Sequence, residues 1–215
     1  MALELDDMHA GNWNVKGIIL EDLKRFEESK RCYDRSLELR KSRVVTDNRA
    51  RMIMTWTHEL LKDDDALETG AELLREAIGD LSKNPDTEED IGEYETFLKL
   101  FENEIDKVKF QRRTLERCAG RPIITVVETH FPDHPKFDVG TFFTLKREPD
   151  NEHDPDAIAV YLSGKKIGYV ANSLRTNAPI STPASQLKDL PDIAYANFLF
   201  VYKYTYNIAA IITKY

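Results

Sequence analysis

Cysteine is scarce in this chain, and its two thiols, Cys32 and Cys118, lie far apart in sequence. Each sits in a helical pattern, so neither a disulfide framework nor a CxxC metal site is indicated, and the expected compartment is reducing, read as cytoplasmic. No apolar run approaches the roughly 20 residues needed to cross a bilayer, and no signal-peptide pattern opens the chain, so no membrane association is expected. Glycine-rich phosphate loops are missing, and no Ser or Cys stands in a recognisable nucleophile setting. These absences point to a chain without catalytic residues and without a cofactor.

Positive charge is also short. Thirty Lys and Arg face 38 Asp and Glu, a formal charge of −8. From Arg121 onward there are 10 of each sign, so the whole acidic excess lies in the first 120 residues. Non-specific nucleic-acid binding needs a basic footprint. Any nucleic-acid contact must therefore be local.

Proline is absent from the first 120 residues except at Pro85, and eight prolines follow Gly120. The change in texture is sharp. Before it, Glu, Lys, Arg and Leu recur at helical spacing; after it, Ile, Val, Tyr, Phe and Thr cluster as they do on pleated, half-buried surfaces. The expectation is an α+β chain in two domains: residues 1–118 all-α, with helical hairpins and a long final helix, and residues 121–215 an all-β barrel.

Within the helical half, Trp13 to Leu39 carries two amphipathic segments joined near Lys24 and Arg25. Trp13, Gly17 and Leu20 fall on one face of the first; Ser29, Tyr33 and Ser36 fall on one face of the second. Small residues let the helices approach while the bulky ones fill the space between them. This alternation resembles the tetratricopeptide repeat, a helical hairpin of about 34 residues, although Lys41 stands where many repeats end in proline. Residues 2–7 look like the last turn of a preceding repeat, as if the chain began within an array. Asp47 to Ser82 reads as a second, degenerate hairpin turning at Asp63-Asp64-Asp65 and lacking the repeat's glycine. After Asn84-Pro85-Asp86, apolar residues from Ile91 to Val108 recur every three or four positions, and the pattern runs to about Cys118 as one helix of roughly 45 to 50 Å. The resemblance implies a face that holds a protein or peptide partner. Core packing is the competing role for every aromatic named.

In the second half, strands are expected at Ile123–Val127, Thr141–Arg147, Ala157–Leu162, Lys165–Ala171, Ala194–Tyr204 and Tyr206–Ile212, with Ser163-Gly164 closing a hairpin. The stretch LKREPDNEHDPDAIAVYLSGKKIGYVAN, Leu145 to Asn172, carries Arg147-Glu148-Pro149, Asn151, Asp154, Ala157-Ile158-Ala159-Val160 and Gly168-Tyr169-Val170 in order. That order resembles the HIRAN domain, and the residues beyond it resemble the small stand-alone HIRAN proteins of prokaryotes. The resemblance implies an OB-like barrel with a short helix, placed here at about Ser185–Leu190.

Helicase-associated members of that family hold the 3′ end of single-stranded DNA, stacking aromatic rings on the terminal base and offering an Asp to the 3′-hydroxyl. A carboxylate accepts a hydroxyl proton and repels a terminal phosphate, while stacking tolerates any base. Position by position, Asp154 matches the hydroxyl-binding Asp, Phe131 matches one stacking aromatic, and His153 stands in place of the second. His130 replaces a phosphate-contacting Arg, Tyr169 a His, and Asn172 a Lys. Two roles compete for Asp154, which precedes Pro155: ligand contact, or capping a tight turn. For Phe131 a core or rim role is favoured over stacking, and Lys165 and Lys166 read as ordinary solvated lysines beside a hairpin.

Other constellations carry less. Asp150, Glu152, Asp154 and Asp156 alternate like the front of a calcium loop but lack its central glycine and distal glutamate. Pro132 and Pro135 make a loop of His130, Asp133 and His134, which no cysteine pair accompanies, and His153-Asp154 suggests a metal phosphohydrolase only if read without context, because that fold is helical. No metal ligand is assigned. The expected function is a non-catalytic adaptor, its barrel on a single-stranded DNA 3′ end and its helices on a protein. The alternative is a protein-interaction module without nucleic-acid binding.

Overall fold

A computed structural model describes residues 9–84, 86–128 and 137–212. Five helices, α1 (Ala10–Asp22), α2 (Phe26–Leu39), α3 (Arg43–Leu60), α4 (Leu67–Leu81) and α5 (Ile91–Arg117), precede six strands. The chain divides into two compact units, Met1–Phe110 and Gln111–Tyr215. The division falls within α5.

In the first unit, α1 and α2 form a hairpin whose turn places Lys24 at φ 55°, in the left-handed region. The expected bulky and small positions meet: Gly17 lies under the Tyr33 ring, and a Cβ there would sit 2.8 Å from a ring carbon. The small residues of α2 also bond to the backbone of α1. Ser29 Oγ donates to the Gly17 carbonyl at 2.8 Å, and Ser36 Oγ donates to the Ala10 carbonyl at 2.8 Å. Tyr33 is fully buried, and its hydroxyl donates to Glu21 at 3.0 Å. Burial first, then the charge of Glu21, pushes that hydroxyl well above the ordinary tyrosine range.

Helices α3 and α4 turn at the three aspartates, where Asp63 Oδ1 accepts the Asp65 N–H at 3.0 Å. The core of this unit gathers Phe26, Tyr33, Met52, Ile53, Leu74 and Phe101. Helix α5 starts at Ile91, the first residue of the apolar pattern, and has 27 residues, about 40 Å at the helical rise and so shorter than the expected 45 to 50 Å. Residues 86–90 are held elsewhere: Thr87 Oγ1 donates to the buried Asp47 at 2.7 Å, Arg43 donates to the Asp86 carbonyl at 2.9 Å, and Asp90 caps the Gly92 N–H at 2.9 Å. Residues 2–7, expected to end a preceding repeat, and Pro85 lie outside the described residues.

The second unit is a closed antiparallel barrel of β1 (Ile123–Glu128), β2 (Phe142–Arg147), β3 (Ile158–Leu162), β4 (Lys165–Val170), β5 (Ile193–Tyr202) and β6 (Tyr206–Ile211), ordered β1-β4-β3-β2-β5-β6. This is the all-β barrel that the sequence leads one to expect. Alternation along each strand sends Ile124, Val126, Phe143, Leu145, Val160 and Phe198 inward. Closure uses irregular pairing between Val160 and Tyr161 and between Phe198 and Phe200, where a bulge bends the strand. Ser163 (φ 49°) and Gly164 (φ 80°) make the tight turn expected between β3 and β4.

The helix expected at Ser185–Leu190 shrinks to one 3₁₀ turn, Ala184–Gln186. Pro183 precedes it and Pro191 follows. The Arg147 guanidinium donates to the carbonyls of Leu187 and of Leu190, the latter at 3.0 Å, groups that a continuing helix would have kept.

Candidate nucleic-acid interface

Asn151 organises the loop between β2 and β3. Its Oδ1 accepts the N–H groups of His153 at 3.0 Å and Asp154 at 3.2 Å, an Asx turn that fixes the backbone. Asp154 continues the pattern, accepting the Asp156 N–H on Oδ1 at 2.9 Å. The capping role open to Asp154 is therefore real, but it occupies one carboxylate oxygen only. The other, Oδ2, accepts the Asn172 side-chain amide at 2.8 Å. Asn172 is held in turn by the Ser185 N–H on its Oδ1 at 2.8 Å, which fixes which end of the amide faces Asp154. With two N–H donors on a partly exposed carboxylate, lone pairs remain for one further donor.

Beside this pair, Tyr169 projects from the outer wall of β4, its register partners being Val127 on β1 and Ala159 on β3. Its hydroxyl is anchored: Lys166 Nζ donates to it at 2.6 Å, and it donates to Glu148 Oε2 at 3.2 Å. Lys166 also donates to both oxygens of Glu148, at 2.6 and 2.9 Å, and its ammonium lies 4.2 Å from the Tyr169 ring centre. The hydrogen bond from Lys166 is the main cause that holds the Glu148 carboxyl below its ordinary range. Desolvation works against the Lys166 charge, yet Glu148 and Tyr169 outweigh it and keep its pKa above the usual lysine value. Asn151 links the two groups, its amide lying 3.4 Å from the Tyr169 hydroxyl.

Of the six residues that sequence assigned to the site, Asp154 and Asn172 are in direct contact, Tyr169 joins them through Asn151, and His153 is exposed on the same loop. His130 and Phe131 lie outside the described residues. The strand that leads to them ends at Glu128, opposite Gly168 and next to Tyr169. Three further residues belong to the arrangement: Asn151 as the loop's organiser, and Glu148 with Lys166 as the brace of Tyr169. Lys166 reads in sequence as a solvated hairpin lysine, because the carboxylate that engages it comes from another strand's end.

The arrangement suits a neutral donor better than an anion. Glu148, Asp150, Glu152, Asp154 and Asp156 crowd one loop, so a terminal phosphate would be repelled while a hydroxyl could donate to Asp154. Among the described residues, no group of three or more His, Cys, Asp or Glu is placed to hold a metal ion, and no helix is long and apolar enough to cross a membrane.

No curated protein and no solved structure matches the chain. Residues 120–176, which contain β1 to β4 and the loop that carries Asn151 and Asp154, match the family model of the HIRAN domain, a binding domain that generally takes nucleic acid at single-stranded 3′ ends and is not itself catalytic.

Proposed function

We propose that the barrel binds the 3′-hydroxyl end of single-stranded DNA or a related nucleic acid, and that the chain is a non-catalytic adaptor whose helices hold a protein partner. The observation that carries the reading is the Asp154 carboxylate, locked by Asn172 and the Asp156 N–H beside the braced Tyr169. Its remaining lone pairs accept a hydroxyl proton, and the aromatic wall stacks on a base of any identity. His153, with His130 and Phe131, which follow β1 in the sequence, completes the proposed contact set, and Asn172 orients the carboxylate. For the helices, the tetratricopeptide-like reading is supported by the Gly17–Tyr33 packing, which is the contact its bulky and small positions require.

Fluorescence anisotropy with matched 3′-hydroxyl and 3′-phosphate oligonucleotides tests the barrel. Asp154→Asn keeps an Asx turn and removes the charge. The wild type should favour the hydroxyl end. The variant should bind that end about tenfold more weakly, roughly the worth of one hydrogen bond to a charged group, and should lose the preference. Equal binding of the two ends by the wild type removes the end reading.

The alternative, a protein-interaction module without nucleic-acid binding, is favoured by one observation: five carboxylates lie on the loop that would face the strand. A protein partner retained by His153→Ala in pull-down, with no oligonucleotide binding by the wild type, selects it.

A further inference from the structure

We propose that Arg175, with the polar pocket it lines, holds a backbone phosphate of the strand whose end lies at Asp154; this rests on the end-binding reading above. A pocket of about 280 Å³ opens on the outer wall of β1 and β6, lined by Val127, Arg175, Thr176, Thr205, Tyr206 and Asn207 among others. It contains a guanidinium, threonine hydroxyls and an amide, and no carboxylate among its lining residues. The guanidinium supplies the donors, as a planar fork, while the Thr176 and Thr205 hydroxyls already donate to the carbonyls of Ser173 and Lys203 and line the pocket as neutral polar groups. That is the chemistry of a phosphodiester site.

Arg175 is exposed, and among the described residues no carboxylate pairs with it. Three other cations of the barrel have partners: Arg147 is bound to the Leu187 and Leu190 carbonyls, Lys166 to Glu148, and Lys146 lies 4.9 Å from the Tyr161 ring centre. The turn that carries Arg175 is built rather than loose. Ser173 accepts the N–H groups of Thr176 at 3.1 Å and Asn177 at 2.9 Å, and the Ser173 and Thr176 hydroxyls are 2.9 Å apart. The turn is also fastened to β1: the Ala178 N–H donates to Thr125 Oγ1 at 3.0 Å, and that hydroxyl is 2.7 Å from Ser181 Oγ. An unpaired guanidinium carried on a fastened turn is prepared for an anion.

The register places this pocket on the strand's path. Val127, on its wall, is the β1 partner of Tyr169 on β4, while Val126 pairs with Asn207 on β6. Ile124 and Val126 point into the barrel core, so Val127 points outward. The pocket therefore lies across β1 from Tyr169, about two strand spacings or roughly 10 Å away. A strand anchored by its terminal hydroxyl at Asp154 and its base at Tyr169 reaches it within its first nucleotides. The acidic loop that rejects a phosphate at the end is thereby complemented by a cation that accepts one behind it.

The test is anisotropy across a salt series with 3′-hydroxyl and 3′-phosphate oligothymidylates of about eight nucleotides. Arg175→Ala should weaken binding of both about tenfold and reduce the salt slope by about 0.7, the value for one phosphate contact on a single strand. It should leave the preference for the hydroxyl end intact, and Arg175→Lys should restore the slope. Unchanged affinity and slope in Arg175→Ala overturn the phosphate site, whatever Asp154 does. Equal wild-type binding of the two ends overturns the end reading and with it the position assigned to this phosphate. Inorganic phosphate titrated alone separates the sources: saturable binding that Arg175→Ala abolishes, with oligonucleotide affinity untouched, assigns the pocket to the free anion and overturns the strand reading.

Discussion

Arg49 shows what a single side chain does in the helical unit. It sits on α3 with 3% of its side chain exposed and meets Asp34 of α2 at 2.6 Å, Asp80 of α4 at 3.2 Å and Glu76 of α4. Burial opposes its charge, and the carboxylates of Asp34 and Glu76 more than restore it, so its pKa lies above the ordinary arginine value. One guanidinium thus ties three helices. Arg49→Met should destabilise the protein by about 2 to 4 kcal/mol in chemical denaturation: the buried network is broken from its centre, but the orphaned acids are over a third exposed and partly resolvated. Arg49→Lys should recover little, since an ammonium cannot fork to three partners. A loss below about 1 kcal/mol would place this network with ordinary surface pairs. Neither Arg49 nor Arg175 was legible in the sequence, because their neighbours come from distant segments. Asp154 was legible, since its turn, its proline and the strands on either side fall within one short stretch. What that stretch did not reveal was Asn172 holding the carboxylate and Lys166 bracing Tyr169, both contributed by a later strand and its end.

Helix α4 carries two glycines that test element packing against helix propensity. At Gly70 an added Cβ would lie 2.3 Å from a ring carbon of Phe101 on α5, a side chain with no exposure; at Gly79 nothing lies within 4 Å. Alanine favours a helix over glycine by about 1 kcal/mol. Gly79→Ala should therefore stabilise the protein by about 0.5 to 1 kcal/mol, while Gly70→Ala should destabilise it by about 1 to 3 kcal/mol through overpacking. Thermal denaturation of the two variants should move in opposite directions, and a common direction would mean that α4 and α5 are not packed as described. The second hairpin lacks the glycine that the first carries at Gly17, and the close approach occurs instead at Gly70, against a helix 31 residues on in the chain. The strands were more legible than the helix ends: β-branched and aromatic clusters and a Ser-Gly turn locate them, and their ends fall within two residues of expectation. The apolar pattern marked the start of α5 at Ile91, but not that the residues before it stay out of the helix, where Asp47 and Arg43 on α3 hold them.

At the scale of the whole molecule, charge decides what kind of nucleic-acid ligand is compatible with the fold. The acidic excess lies entirely in the first 120 residues, and the rest of the chain is balanced at 10 charges of each sign. Proteins that track a strand use a continuous basic groove, and their affinity grows with length and falls steeply with salt. Here the strand would meet an acidic loop at its end and the guanidinium of Arg175 behind it, on a chain whose net charge is −8. Binding should therefore count ends rather than phosphates. In competition against a labelled 3′-hydroxyl oligonucleotide, a linear strand of about 30 nucleotides should compete no better per end than one of about eight. A circular single strand, which offers phosphates and bases but no end, should not compete at matched nucleotide concentration. The salt slope should stay shallow, at about −0.7 to −1.4, as one or two phosphate contacts require. Effective competition by the circle would mean that the affinity comes from the strand's length, and the locked carboxylate at Asp154 would then be a turn cap alone.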